Sequence, residues 1–439
     1  VGLASGLLCA EEDRGEAGVM LGTLGEGKRA RTGLGNRRGG DMSRKRRFAP
    51  ALLAAAVVAF AATACGGSGG SGDSGGGQTA TIGYSGPLSG GAALYGQNAL
   101  DGMRMAVRDL NQDEIEIDGE PVTFEIESLD DQYLPDEAAT NAQRLVQQNG
   151  APVVFIPHSG GIFAAQEINT ERNEFLIGAY SSDPAILEQD NELTMMIPPR
   201  FDNYMQPFAE TTMQDFGDRL GLIPTESEYG IEWTEYITEE WESQGGEVLS
   251  NNGVDYTTTT DYASPVSQAL SEDPDVLFVG GPSQPTALVM EEARNQGFEG
   301  GFMVMDQAKF SEMEGFTDFE NFNGSTGVLP VIESDSPGID QFIETYEEQI
   351  TEERPVVSEV AYNYQAMHIV AEAMELAGTT EDPQAIRENI EPALEEVGDE
   401  YKVANFPTGF TEDGHLEGPV TATYIQDGEY TPLEVPQQQ

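Results

Sequence analysis

From Gln78 onward, short apolar runs of strand length alternate with stretches whose apolar residues recur every three or four positions, and the alternation restarts once. Repeated strand and helix imply parallel strands joined by crossovers, with helices on both faces of the sheet. "TATIGYSGPL" reads as a strand ending in a Gly/Pro turn, and Leu100, Met103, Val107 and Leu110 then share one helical face. "VTFEIESLDD" is a second strand, followed by Ala138, Ala142, Leu145 and Val146 at helical spacing. "PVVFIPHSGG" and "EFLIGAYSSDP" are further buried strands, each opening into a polar loop. After a crossing near Ile197–Arg200 the rhythm resumes with a helix over 204–216, the strand "RLGLIPT" and a helix that places Trp233, Ile237 and Trp241 together. Strands "EVLSNNGV", "DVLFVGG", "GFMVMD" and "GVLPVI" follow, then helices around 342–350, 360–377 and 383–394. The tail predicts a hairpin turning at Asp427-Gly428.

The segment before Gln78 has a different character. "MSRKRRFAPALLAAAVVAFAATAC" opens on four basic residues, Arg44 to Arg47, and continues as an apolar run too short to span a bilayer. That is the pattern of a secretory signal peptide over 42–64. Residues 1–41 precede a complete signal and lack periodic apolar positions, which predicts an over-extended gene model starting upstream of Met42. From Cys65 to Gly77 a Gly/Ser tract follows, a flexible tether of roughly 20 Å for a dozen residues.

Charge narrows the partners. The 77 acidic residues outnumber 21 basic ones, for a net charge of -56, and ten of those basic residues lie before Cys65. Such a surface repels nucleic acid and anionic lipid. It is more comfortable where salt screens it, since the Debye length falls to roughly 3 Å near 1 M ionic strength, so an acidic proteome and a salt-loving source are expected. Two cysteines, Cys9 and Cys65, give no disulfide framework, and three histidines give no zinc cluster. No cofactor is expected.

Four stretches in order, "IGYSGPLSGGAALYGQNALDGMRMAVRDLN", "ESLDDQYLPDEAATNAQRLV", "AYSSDPAIL" and "AYNYQAMHIVAEAM", resemble the type I periplasmic binding proteins. Within that family they are most similar to the branched-chain amino acid receptors of ABC importers. The segment "ATAC" likewise resembles a lipobox, which implies acylation of Cys65 and an anchor on the extracytoplasmic face of the membrane. The resemblance implies two doubly wound α/β lobes joined by three crossovers near 198–200, 328–331 and 419–422. The first lobe would comprise 78–199 with 330–420, and the second 200–329 with 421–439.

The same resemblance implies a site in the cleft between the lobes, where open α/β sheets also place ligands on general grounds, beyond the carboxyl ends of their strands. Ser159 and Ser182 match residues that hold a ligand carboxylate, with Gly160, Gly161, Ser181 and the backbone around Tyr180 close by, in an arrangement needing no buried cation. Asp306 matches the acid that pairs with the ligand ammonium, and Tyr229 and Tyr95 match wall residues. Where the family has a tyrosine after paired glycines, this chain has Pro282 and Ser283, and Ser283 joins the site. Asp306 is shorter than the family's glutamate and Tyr180 is bulkier than its counterpart. The first weakens leucine specificity, since an amino group must sit deeper or be met through water, and the second shrinks the pocket toward a smaller ligand or an amide.

Read from the residues alone, Ser159 and Ser182 are equally well placed to cap the helices that follow, and Asp306 to be a surface acid. Tyr364 belongs to a core face, and His158 beside Ser159 lacks the elbow that makes a nucleophile. The function expected is solute capture by a monomer that delivers to ABC permease subunits, without catalysis. A sensory receptor of the same fold is the alternative, and a secreted hydrolase a more distant one.

Overall fold

The structure is a computed structural model that describes residues 77–436 apart from Glu171, Asp190 and Glu352. The expected start, signal peptide, Cys65 anchor and tether therefore lie outside the described residues.

The first sheet is built from β1 (Gln78–Gly86), α1 (Ala93–Gln112), β2 (Glu116–Ile117), β3 (Glu120–Asp130), α2 (Pro135–Asn149), β4 (Val153–Ile156), α3 (Ser159–Asn169), β5 (Leu176–Ala179) and β6 (Thr194–Met196). Its strand order is β2-β3-β1-β4-β5-β6, parallel except for the β2–β3 hairpin. Burial on both faces explains the unbroken apolar strands. In β4, Val153 and Phe155 enter the core that includes α1, while Val154 and Ile156 enter the opposite core with α2 and α3.

The second sheet repeats the design with α4 (Asp202–Phe216), β7 (Arg219–Pro224), α5 (Glu228–Ser243), β8 (Glu247–Asn251), α6 (Ala263–Leu270), β9 (Val276–Gly280), α7 (Ser283–Asn295), β10 (Gly301–Val304), α8 (Phe310–Met313) and β11 (Ser325–Val328). The chain then returns to the first sheet as α9 (Ile339–Gln349), α10 (Ser358–Ala377), α11 (Pro383–Glu388), α12 (Ile390–Glu396) and the small hairpin β12 (Gly409–Phe410) and β13 (Leu416–Glu417). It ends in the second sheet with β14 (Ala422–Gln426) and β15 (Glu429–Leu433), giving the order β15-β14-β11-β10-β9-β7-β8. Asp427 and Gly428 both have positive φ, which turns β14 into β15 as the Asp-Gly pair requires.

The fold is thus α/β with two sheets dominated by parallel strands, and the chain passes between them three times. Along β9, Val276 and Phe278 pack against α4 and α5, while Leu277 and Val279 pack against α6 and α7. Trp233, Ile237 and Trp241 are fully buried in the first of these cores, as their spacing predicts.

Several elements were not anticipated. α6, α8, β2, β6, β12 and β13 are short, and the longer α7, between β9 and β10, was passed over as well. α10 is buried on nearly every side, so its sequence lacks the polar stripe of a surface helix. It lies along α1, where Gly102 permits the approach: a Cβ there would come within 2.1 Å of the Val360 carbonyl oxygen.

Candidate functional site

In each sheet the strand order reverses beside the first strand laid down, between β1 and β4 and between β7 and β9. Loops leaving the carboxyl ends of neighbouring strands diverge at such points, and a crevice opens between them. The two crevices face each other. Their lining comes from Tyr133 after β3, Pro157 to Ser159 after β4, and Tyr180 to Ser182 after β5 on one side. Tyr229 of α5 and Asp306, Gln307 and Lys309 after β10 line the other, with Tyr95 of α1 and Glu359 of α10 completing the walls. The space between them is only about 20 Å³, room for about one water molecule. Past Tyr133, His158, Ser159 and Tyr229 it gives onto a groove of about 220 Å³.

Hydrogen bonds span the cleft at several points. Ser182 Oγ donates to Asp306 Oδ2 at 2.6 Å and lies 2.8 Å from the Tyr229 hydroxyl, which donates to Asp306 Oδ1. Trp233 Nε1 supports the pair from below, 2.9 Å from the Tyr229 oxygen and 3.2 Å from Asp306 Oδ1. The Gln307 amide donates to the Tyr133 hydroxyl at 2.9 Å, and Asn98 to Glu312 at 2.7 Å. Burial holds the Asp306 carboxyl above the usual carboxylate range against the opposing pull of the Lys309 ammonium.

On the serine side, Ser159 Oγ lies 2.8 Å from Ser181 Oγ. Neither Ser159 nor Ser182 is spent as a helix cap. His158 caps α3, its Nδ1 accepting from the Gly161 amide at 3.0 Å, and Asp183 caps the short turn at Pro184–Glu188. With Nδ1 accepting, the His158 proton sits on Nε2 and is donated to Asp131 at 3.1 Å. Tyr133 stacks on the ring at 4.6 Å, so His158 shapes the loop and is not a base for Ser159.

The structure brings together Tyr95, Ser159, Tyr180, Ser181, Ser182, Tyr229 and Asp306. It does not bring in the other three residues expected there. Gly161 has its amide committed to His158, Gly160 lies in the outer groove, and Ser283 Oγ accepts from the Lys309 backbone amide at 3.1 Å, away from the cleft. Lys309 enters the lining, its ammonium donating to the Asp306 carbonyl and standing 3.2 Å from Glu359 Oε1. Lys309, Glu359, Gln307 and Tyr133 escaped the sequence reading. Glu359 precedes the apolar run of α10 and reads as an N-terminal helix acid, so only the packing of α10 on α1 reveals it. Tyr364, by contrast, is core, donating to Asp109 at 2.6 Å.

The profile of one family, described as periplasmic binding protein, matches residues 79–429. The chain belongs to the periplasmic binding protein family. Solved structures show the same fold. A leucine binding protein from Thermotoga maritima superposes with a TM-score of 0.64 at 22% identity, covering 81% of this chain and 97% of that one. A branched-chain amino acid transporter substrate binding protein from Streptococcus pneumoniae, in complex with isoleucine, gives 0.65 at 18% identity, covering 82% and 99%. A fatty acid ABC transporter substrate-binding protein from Thermomonospora curvata gives 0.66 at 19% identity, covering 82% and 92%. None of the curated proteins compared by sequence matches the chain. Periplasmic binding proteins hold solutes outside the cytoplasm, and at these identities the likeness fixes the fold, while those three proteins are associated with leucine, isoleucine and a fatty acid in turn. Among the described residues, no helix is long and apolar enough to cross a membrane.

Proposed function

We propose that this periplasmic binding protein captures a small amino acid or amide-like solute between its lobes and delivers it to the permease of an ABC importer, held to the membrane by a lipid on Cys65. The observation that carries the reading is the direct bond from Ser182 to Asp306 across the cleft. A hydroxyl on one lobe faces a carboxyl on the other, so a solute with an acceptor at one end and N–H groups at the other can replace that bond with two. Ser159, Ser181 and Ser182 then supply hydrogens to the carboxylate or carbonyl, and Asp306 takes the ammonium or amide. Tyr95, Tyr180 and Tyr229 enclose what lies between.

A cavity of about 20 Å³ admits no amino acid while the lobes are together. Solute therefore enters an open form and shifts the population toward the closed one, hinging on the three chain passes. The closed monomer is the form that docks on the permease.

A thermal-shift screen in high salt against amino acids, urea and short amides tests the reading. A ligand at about 100 times its dissociation constant stabilises the fold by roughly 2.7 kcal/mol. If Ser182→Ala and Asp306→Asn both leave that shift intact, the solute binds elsewhere. The anchor has its own test, since a Cys65→Ser variant should lose radiolabelled fatty acid and appear in the medium.

A further inference from the structure

One buried carboxyl in the cleft accepts no hydrogen bond from either lobe. Glu359, in the first turn of α10, is 1% exposed and lines the cavity. Neither of its carboxylate oxygens accepts a hydrogen bond from the described residues. Lys309 Nζ is near enough to Oε1 for an ion pair, at 3.2 Å, but stands off the direction of a hydrogen bond and gives its directed bond to the Asp306 carbonyl. A buried acceptor left unsatisfied costs about 1–3 kcal/mol, and more when charged. Asp306 is the opposite case, with Ser182, Tyr229 and Trp233 all turned toward it.

The rest of the lining indicates what supplies the missing donors. It contains no Leu, Ile, Val, Met or Phe, and its apolar surface comes from tyrosine rings and from Pro157 and Pro198. A branched aliphatic side chain finds no aliphatic partner there. Two carboxyls, Asp306 and Glu359, share the space with a single cation, Lys309. That balance favours a solute rich in N–H groups.

Resting on the reading of the cleft as the solute site, we propose that Glu359 accepts hydrogen bonds from a second N–H-bearing group of the solute. The ligand is then a compact molecule with two such groups, one for Asp306 and one for Glu359: an ammonium with an amide or guanidinium, or the paired amino groups of a urea. Branched-chain aliphatic amino acids are disfavoured. Glu359 is a specificity residue, and Lys309 beside it fixes where its carboxylate points.

Calorimetric titration of the full chain in high salt with arginine, glutamine, urea, leucine and alanine tests this. At least one of the first three should bind, and leucine and alanine should bind roughly tenfold or more weakly by comparison, the value of about one charge-assisted hydrogen bond. Glu359→Gln should weaken the bound probe by a similar factor while leaving the unliganded melting temperature no lower. Glu359→Asp, which retains the charge but draws it back, should fall between, and it serves as the test if the glutamine variant fails to fold. Binding of leucine or alanine alone, or a probe indifferent to both Glu359 variants, overturns the proposal and leaves the cleft reading standing. Silence from all five and from the wider screen overturns both.

Discussion

Ser182 and Asp306 belong to different lobes and meet through a 2.6 Å hydrogen bond between buried side chains. Ser182→Ala leaves Asp306 Oδ2 without its partner from the opposing lobe. An unliganded protein carrying it should open more readily and lose about 1–3 kcal/mol where the lobes meet. Small-angle scattering should show a larger radius of gyration than for the parent chain. An unchanged radius together with an unchanged melting curve would mean that this bond does not hold the lobes together.

The buried carboxyls give pH effects of opposite sign. Burial lifts Glu359 to about 7, opposed by Lys309, and lifts Asp183 to about 7, opposed by the nearby Ser159 hydroxyl and the Ala185 amide that its carboxylate accepts from. Both folded values exceed the unfolded ones. Their contribution to stability is fully present below the unfolded carboxylate range and is lost as pH rises through about 7. The melting temperature should therefore fall between about pH 5 and 8, and Glu359→Gln should flatten part of that slope. A cationic solute prefers ionised partners, so its affinity should rise over the same interval. Parallel movement of affinity and stability would contradict this assignment.

Trp233 offers an optical report on the cleft. Its indole N–H touches both Tyr229 and Asp306, whereas Trp241, the second tryptophan, bonds to the Asp218 carbonyl. Solute binding should alter the intrinsic fluorescence of the parent and of Trp241→Phe, and leave Trp233→Phe silent. A signal that follows Trp241 would place the event elsewhere. Truncation of Trp233 to Ala should also cost about 3–5 kcal/mol, because the ring is fully buried against Phe201 and Phe278.

Net charge predicts a salt requirement. The whole chain carries a formal charge of -56, so its acids repel one another, and screening tightens to roughly 3 Å near 1 M salt. Raising sodium chloride from low concentration to molar levels should raise the melting temperature steadily. A flat response would show that the acids are merely solvated.

The alternation of strand and helix was legible because a period needs only polarity, and the Asp427-Gly428 turn because positive φ selects its residues. Seven cleft residues, from Tyr95 to Asp306, were found through motif likeness. What escaped were side chains brought in by distant packing. Glu359 reaches the cleft only because α10, at Ser358–Ala377, crosses back to lie on α1, at Ala93–Gln112. Gly161 was misjudged because nothing in "PHSGG" tells that His158 would turn back on its amide.

The threefold passage between sheets also governs how the molecule must be made. α10 covers one face of the first sheet, and β14, which begins at Ala422, pairs with β11 to extend the second. The first sheet cannot be fully covered, nor the second completed, by an emerging chain until almost all of it is available. Long-range pairing of this kind slows folding, so the protein should acquire structure late and nearly all at once, remaining extended for most of its passage from where it is synthesised.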